Sequence, residues 1–242
     1  MELIIIIIAI IAIITIYFMM KTNAKELKEI ALDQELNSIA EKFPDNTEIC
    51  KAILKKIGNE TTKIEEDKKS ETTLYIAMQD KVSIGNTHES FTRIQTMAHE
   101  CLHSIQDRKM LIFNFIYSNI YLIYFVITCV LVIVKKIENI MLYSNIFLIL
   151  SFIYYVVRVF LENDAMIKAQ YIAREYMEEQ AIVTEEEINK VFNGFKKLNK
   201  GLIKGTNCNL FIGIMIKLVI FNALALIFWE ICGKIFKCKQ NR

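Results

Sequence analysis

His99, Glu100 and His103 stand at the spacing of two metal-binding imidazoles with a carboxylate between them, in the run Met97-Ala98-His99-Glu100-Cys101-Leu102-His103-Ser104-Ile105-Gln106-Asp107. On a helix, side chains four residues apart leave one face a turn apart, so both imidazoles can reach a single tetrahedral zinc while Glu100 leans beside them. Neutral imidazole suits Zn²⁺, and the intervening carboxylate is placed to take a proton from water and hand it later to a leaving amine. That is the chemistry of a zinc-dependent peptidase. Two surface histidines would give the same spacing, so the rest of the chain has to carry the reading.

The histidines need a helix to align them. Thr87 to Asp107 reads as one: Asn86 or Thr87 can cap it, Glu89 falls in its first turn, and neither Gly nor Pro interrupts it. His88, the third histidine of the chain, would lie about 16 Å along that axis from His99. It reads as a solvated N-terminal residue and not as a ligand.

The composition sets the wider frame. Of 242 residues 54% are hydrophobic, with one Pro, seven Gly and a net charge of only +2, which is too apolar and too poor in turn residues for an ordinary soluble domain. Four stretches reach the length of about 20 apolar residues that a bilayer-crossing helix needs: Leu3 to Met20, about Leu111 to Val134, about Ile140 to Leu161, and about Leu210 to Phe236. The first lacks the basic start and small-residue cleavage site of a signal peptide, so it is expected to remain as an anchor. In the fourth, Lys217 lies near the start and can snorkel, and Glu230 follows it. Tyr117, Tyr121, Tyr143, Tyr154, Tyr155 and Trp229 read as ordinary aromatics of membrane spans.

These spans divide the chain into residues 1–20 as an N-terminal anchor, 21–110 as a catalytic region, 111–161 as a membrane hairpin, 162–209 as a helical region, and 210–242 as a last span with a basic tail. The hairpin, whose tip is Lys135-Lys136-Ile137-Glu138-Asn139, contributes two crossings. The two polar blocks should therefore emerge on one side of the membrane. That brings in a third ligand, because a catalytic zinc wants three protein ligands and one open position. Glu162, where the third span ends, is the expected one: the histidine helix leads into the second span and Glu162 leaves the third.

The run His99-Glu-Cys-Leu-His103-Ser-Ile-Gln106, followed across two spans by Glu162-Asn163-Asp164-Ala165, resembles the YugP-like neutral zinc metallopeptidases, whose pattern is about HExxHAxQ and then E-x-D-A. More distantly it resembles the HtpX-like membrane peptidases, with HExxH, a membrane hairpin and E-x-x-A-D. The order of elements matches along nearly the whole chain, while residue matches are confined to the two motifs. Leu102 and Ser104 stand where the first pattern usually has Gly and Ala, and Met166 where the second has Asp. The resemblance implies His99, His103 and Glu162 on one zinc ion with Glu100 as general base.

Around those ligands, Gln106, Asp107 and Asp164 are candidates to orient an imidazole or the substrate peptide; Gln106 and Asp107 follow His103 by three and four residues, on its face. Asp107 reads equally as a residue at the membrane surface before Arg108-Lys109. Tyr171 or Arg174 could reach the site as an oxyanion stabiliser.

Elsewhere, Ala24 to Phe43 has apolar residues at helical spacing up to Pro44, and a second short helix runs from about Thr47 to Ile57. Thr61 to Glu66 and Thr72 to Asp80 read as strands, with Lys81 to Asn86 as the connection into the histidine helix. Leu74 to Met78 would be either a sheet edge that pairs with an extended polypeptide substrate or a strand completing a small sheet. Thr184-Glu185-Glu186-Glu187 is a capping-box pattern opening a helix to about Leu198. The six cysteines have no CxxC spacing, which argues against a disulfide framework and a cysteine-type zinc site, and Cys101 should pack away from the histidine face. No basic-aromatic interleaving marks a nucleic-acid partner.

The fold class expected is therefore mainly α: a multi-pass protein of the cell membrane with about four transmembrane helices and a small α+β, zincin-like catalytic region. The function expected is zinc metalloendopeptidase activity. The alternative is a catalytically silent membrane scaffold stapled by zinc, and a metal transporter ranks third because the spans hold few polar ligands. Basic residues near the span ends favour a cytoplasmic catalytic face by the positive-inside rule. Oligomeric state is not encoded in any pattern of the chain.

Overall fold

In the computed structural model, which describes residues 2–67, 69–86 and 90–228 (backbone alone at 21–24), four long helices dominate. They are α1 (Glu2–Ala31), α5 (Arg108–Ile133), α6 (Ile140–Gln180) and α7 (Glu185–Leu226), and between the first two lie three short helices, α2 (Gln34–Glu41), α3 (Asn46–Lys56) and α4 (Arg93–His103), with three strands, β1 (Lys63–Glu66), β2 (Leu74–Ile76) and β3 (Lys81–Ile84). All four long helices contain a segment long and apolar enough to cross a membrane. The chain divides into two units: residues 1–22, 114–158 and 206–242 form an apolar one, and residues 23–113 and 159–205 a polar one.

In the polar unit the helix expected from Ala24 to Phe43 is interrupted at Leu32-Asp33. The Asp33 carboxylate accepts from the N–H groups of Glu35 (2.9 Å) and Leu36 (3.2 Å), so the chain restarts as α2 with its own cap instead of continuing α1. Asp45, right after Pro44, caps α3 in the same way through Glu48 N–H at 2.8 Å.

The sheet departs further from expectation. Its order is β1-β3-β2, with β1 parallel and β2 antiparallel to β3, so the segment expected as a connection is its central strand. Val82 and Ile84 are buried while Lys81 and Ser83 are half-buried, a two-residue alternation too short to stand out in sequence. The strand expected over Thr72 to Asp80 stops at Ile76 and turns through Asp80, whose φ is +47°. Past β3, Gly85 is required: a Cβ there would lie 2.7 Å from the Thr72 backbone.

The histidine helix is also shorter than expected. α4 begins at Arg93 and ends at His103; Thr87, His88 and Glu89, which include the expected cap and the solvated histidine, lie outside the described residues. Ser90 to Thr92 are held non-helical by tertiary contacts. Phe91 is buried and stacks on Phe195 with 5.7 Å between rings, and its N–H donates to Asn37 Oδ1 at 2.8 Å. At the other end Asp107 accepts from Lys109 N–H at 2.7 Å and starts α5.

Arg93, 3% exposed, fastens α4 to α2. Its guanidinium donates to the carbonyls of Ala40 (2.9 Å), Phe43 (2.7 Å) and Pro44 (2.7 Å) and to Asn46 Oδ1 (3.0 Å), satisfying the Phe43 and Pro44 oxygens beyond the end of α2 and adding a second donor to Ala40, which also accepts from Phe43 N–H at 3.2 Å. Ile49, Ile53, Val82, Ile94, Met97 and Phe195 fill the core between these elements. Ala165, Ala169 and Ala173, four residues apart and fully buried, form a stripe without bulk on α6 that lets it pack closely into this core.

In the apolar unit, Tyr121, Phe147 and Leu218 form one buried cluster, and Val132, Ile140, Phe221 and Ala225 another. Ser144 Oγ donates to Asn222 Oδ1 at 3.2 Å, the kind of polar contact that joins helices where no water competes. α7 runs without a break from the Thr184 cap, so the separate helix expected to end near Leu198 continues into the fourth span. That span is described only as far as Phe228; Trp229, Glu230, Cys232 and Cys238 lie outside the described residues.

Candidate metal centre

α4 carries His99 and His103 on one face, and their rings sit 4.6 Å apart at an 85° angle. Their Nε2 atoms approach to 3.1 Å. Glu162, on α6, points an oxygen at the same place, 3.5 Å from His99 Nε2 and 3.8 Å from His103 Nε2. The ligand atoms of the three lie within 4.8 Å of one another and could together hold a metal ion. Tetrahedral ligands about 2.0–2.1 Å from a metal stand roughly 3.3 Å apart, so the three spacings bracket what one ion requires.

His103 is held in the tautomer that suits a ligand. Its Nδ1 is 2.8 Å from Gln106 Oε1, and Gln106 Nε2 donates to the Leu161 carbonyl at 2.9 Å and to Asp164 Oδ2 at 3.2 Å. With the amide nitrogen committed to two acceptors, its oxygen must accept, so the imidazole proton sits on Nδ1 and the Nε2 lone pair faces the cluster. Lys168 Nζ, 2.6 Å from Asp164 Oδ1, completes the chain, and with Gln106 it holds the Asp164 carboxyl below its ordinary range. Gln106 and Asp164 thus join the two halves of the centre.

Glu100 stands beside the cluster, with Oε1 3.8 Å from His99 Nε2. Its Oε2 accepts from the backbone N–H of Tyr75 at 2.6 Å. Because β2 pairs with β3 on one side only, and ladder bonds alternate along an antiparallel strand, this N–H faces outward from the sheet edge toward α4. The Tyr75 ring is tied down as well: its hydroxyl donates to Asp80 at 2.9 Å, and burial with that carboxylate pushes the phenol up to about 12. Asn59 donates to the Ser104 hydroxyl at 2.8 Å and pins the end of α4.

Other sequence candidates are placed elsewhere. Asp107 is the cap of α5. Arg174 pairs with Glu178 at 2.7 Å and lies 4.8 Å over the Phe192 ring, and Tyr171 is half exposed against the same ring at 5.8 Å; neither is aimed at the cluster. Cys101 is fully buried with Sγ 3.4 Å from that of Cys50, and their contact and burial push its thiol well up, which leaves it an inert packing group. Sequence reasoning missed Tyr75, whose contribution is a backbone N–H, and Arg93, whose partners are carbonyls. No residue pattern announces either.

Neither a family model, nor a curated protein, nor a solved structure matches this chain. Its function must be argued from the geometry.

Proposed function

We propose that this chain is a membrane-anchored zinc endopeptidase. The observation that carries the reading is the convergence of His99, His103 and Glu162 with Glu100 at its side. Two imidazoles and a carboxylate are borderline donors that favour zinc over harder cations, and three ligands leave a position open. The region would then be zincin-like in its use of the HExxH helix.

Zinc bound there would supply Lewis acidity for the scissile carbonyl and lower the pKa of water. The protein's own groups do the rest. Glu100 takes a proton from the attacking water and returns it to the leaving amine. Gln106, backed by Asp164, keeps the His103 ring oriented. The four apolar helices are suited to anchor this machinery in a cell membrane, and the basic residues near the span ends support a cytoplasmic site by the positive-inside rule.

One observation favours the silent scaffold: the Glu100 carboxylate already serves to hold Tyr75. Proteolysis of an unfolded model protein by purified wild type and Glu100→Gln, with bound zinc quantified in both, separates the two. The peptidase reading requires that the variant keep its metal and cut at least about a hundredfold more slowly. Zinc in both proteins with no cleavage of any substrate offered supports the scaffold, and absence of zinc from both overturns the centre.

A further inference from the structure

Lys217 is the single charged residue between Leu210 and Leu226, in the apolar stretch of α7. A cation at that depth is costly, and such residues face partners or a cavity. Here the partners within the protein are weak. Lys217 Nζ reaches the Gly213 carbonyl only at 3.5 Å and lies 5.6 Å from the centre of the Tyr121 ring. Among the described residues no carboxylate pairs with it, so most of the ammonium's hydrogen-bonding capacity is left for something else.

The cavity is present. About 320 Å³ of space is lined by Tyr154, Thr206, Asn209, Leu210, Gly213 and Lys217, all within the apolar unit. The lysine side chain runs back along α7 toward the carbonyl four residues before it, as helical side chains do, and so toward the end of the span where Thr206 and Asn209 lie. At Gly213 a Cβ would meet no atom within 4 Å, which leaves the helix backbone open to the cavity. The lining thus combines one cation, three residues able to donate hydrogen bonds, and no acid. Its complement is an anion.

We infer that this cavity binds the phosphate of an anionic phospholipid, with Lys217 as the counter-charge. The lipid is favoured over a soluble anion by the surroundings: Ile153 and Ile216, next in sequence to Tyr154 and Lys217, are exposed apolar side chains against which acyl chains can lie. Leu210 and the Tyr154 ring supply apolar contact below the headgroup, and the polar donors and the ammonium meet the phosphate where the lysine snorkels upward. This site is separate from the metal centre and does not depend on the peptidase reading.

The test is lipid retention by the full-length protein, stripped of lipid in mild detergent and titrated with phosphatidylglycerol or phosphatidylcholine, read by native mass spectrometry. Wild type should hold one phosphatidylglycerol with about a fivefold preference, the worth of one lysine near a membrane surface. Lys217→Met should abolish that preference. Gly213→Leu, which fills the open space and keeps the lysine, should do the same and decides the matter if the first variant fails to fold. Lys136→Met, at the hairpin tip, should retain it. Equal retention of both lipids by wild type, or an unchanged preference in Gly213→Leu, overturns the proposal. Displacement of the lipid by millimolar inorganic phosphate overturns the choice of a lipid as occupant.

Discussion

The backbone N–H of Tyr75 and the carboxylate of Glu100, 25 residues apart in sequence, meet at 2.6 Å. The sheet edge and the histidine helix are thereby joined through the group proposed as general base. A backbone donor cannot be removed by changing a side chain, so the contact is tested from the Glu100 side. Glu100→Gln keeps an acceptor oxygen and should leave amide exchange at Tyr75 slow. Glu100→Ala should accelerate it, because the N–H loses its partner. Equal protection in both variants would show that the contact does not hold the strand.

Removing the side chain that orients His103 should weaken the metal without unfolding the protein. Gln106→Ala takes away the Nδ1 acceptor at 2.8 Å and the donor to Asp164, and losses of this kind cost about tenfold to a hundredfold in metal affinity. Competition with a chromophoric chelator measures it. Unchanged affinity would mean that the imidazole is oriented by its helix alone.

Arg93→Met should be the most destabilising of these changes. It leaves the carbonyls of Phe43 and Pro44 without their buried donor and takes one of two donors from Ala40, at about 1–3 kcal/mol for each group left unpaired and not reached by water. A loss of about 3 kcal/mol or more in denaturant unfolding of the detergent-solubilised protein is expected. A loss under about 1 kcal/mol would mean that water replaces the guanidinium.

The start of α7 should respond to acid. Glu187 accepts from Thr184 N–H at 2.8 Å and pairs with Lys42 at 2.6 Å, and Lys42 foremost, then the Thr184 N–H, lowers its carboxyl from 4.5 to about 2. A depressed folded-state pKa gives stability that is complete above about pH 4.5 and is lost as the pH falls toward 2. Glu187→Gln should flatten the stability profile in that window and leave it unaltered above pH 6. A wild-type profile that coincides with the variant's would sink the assignment.

Much of this protein follows from local pattern. Apolar runs of about 20 residues imply helices of bilayer length whatever surrounds them, because in hydrocarbon the backbone must satisfy itself. His99 and His103 share a face by helical periodicity alone, and Thr184 and Glu187 cap a helix at a spacing readable from three intervening steps. Gln106 and Asp164 were picked out as candidates by their nearness to His103 and Glu162, but the bond between them is a product of folding. Tertiary structure decided the rest. Lys81 to Ile84 became the central strand because Val82 and Ile84 had a core to enter, and α4 began at Arg93 because Phe91 had a ring to stack on; the break at Asp33, by contrast, is a local cap to the Glu35 and Leu36 N–H groups of α2. Glu162 came within 3.8 Å of His103 only because the stripe of alanines let α6 approach. Phe91 and Phe195, or His103 and Glu162, meet across stretches of chain far longer than any helix or strand pattern, and no short window of sequence contains both partners.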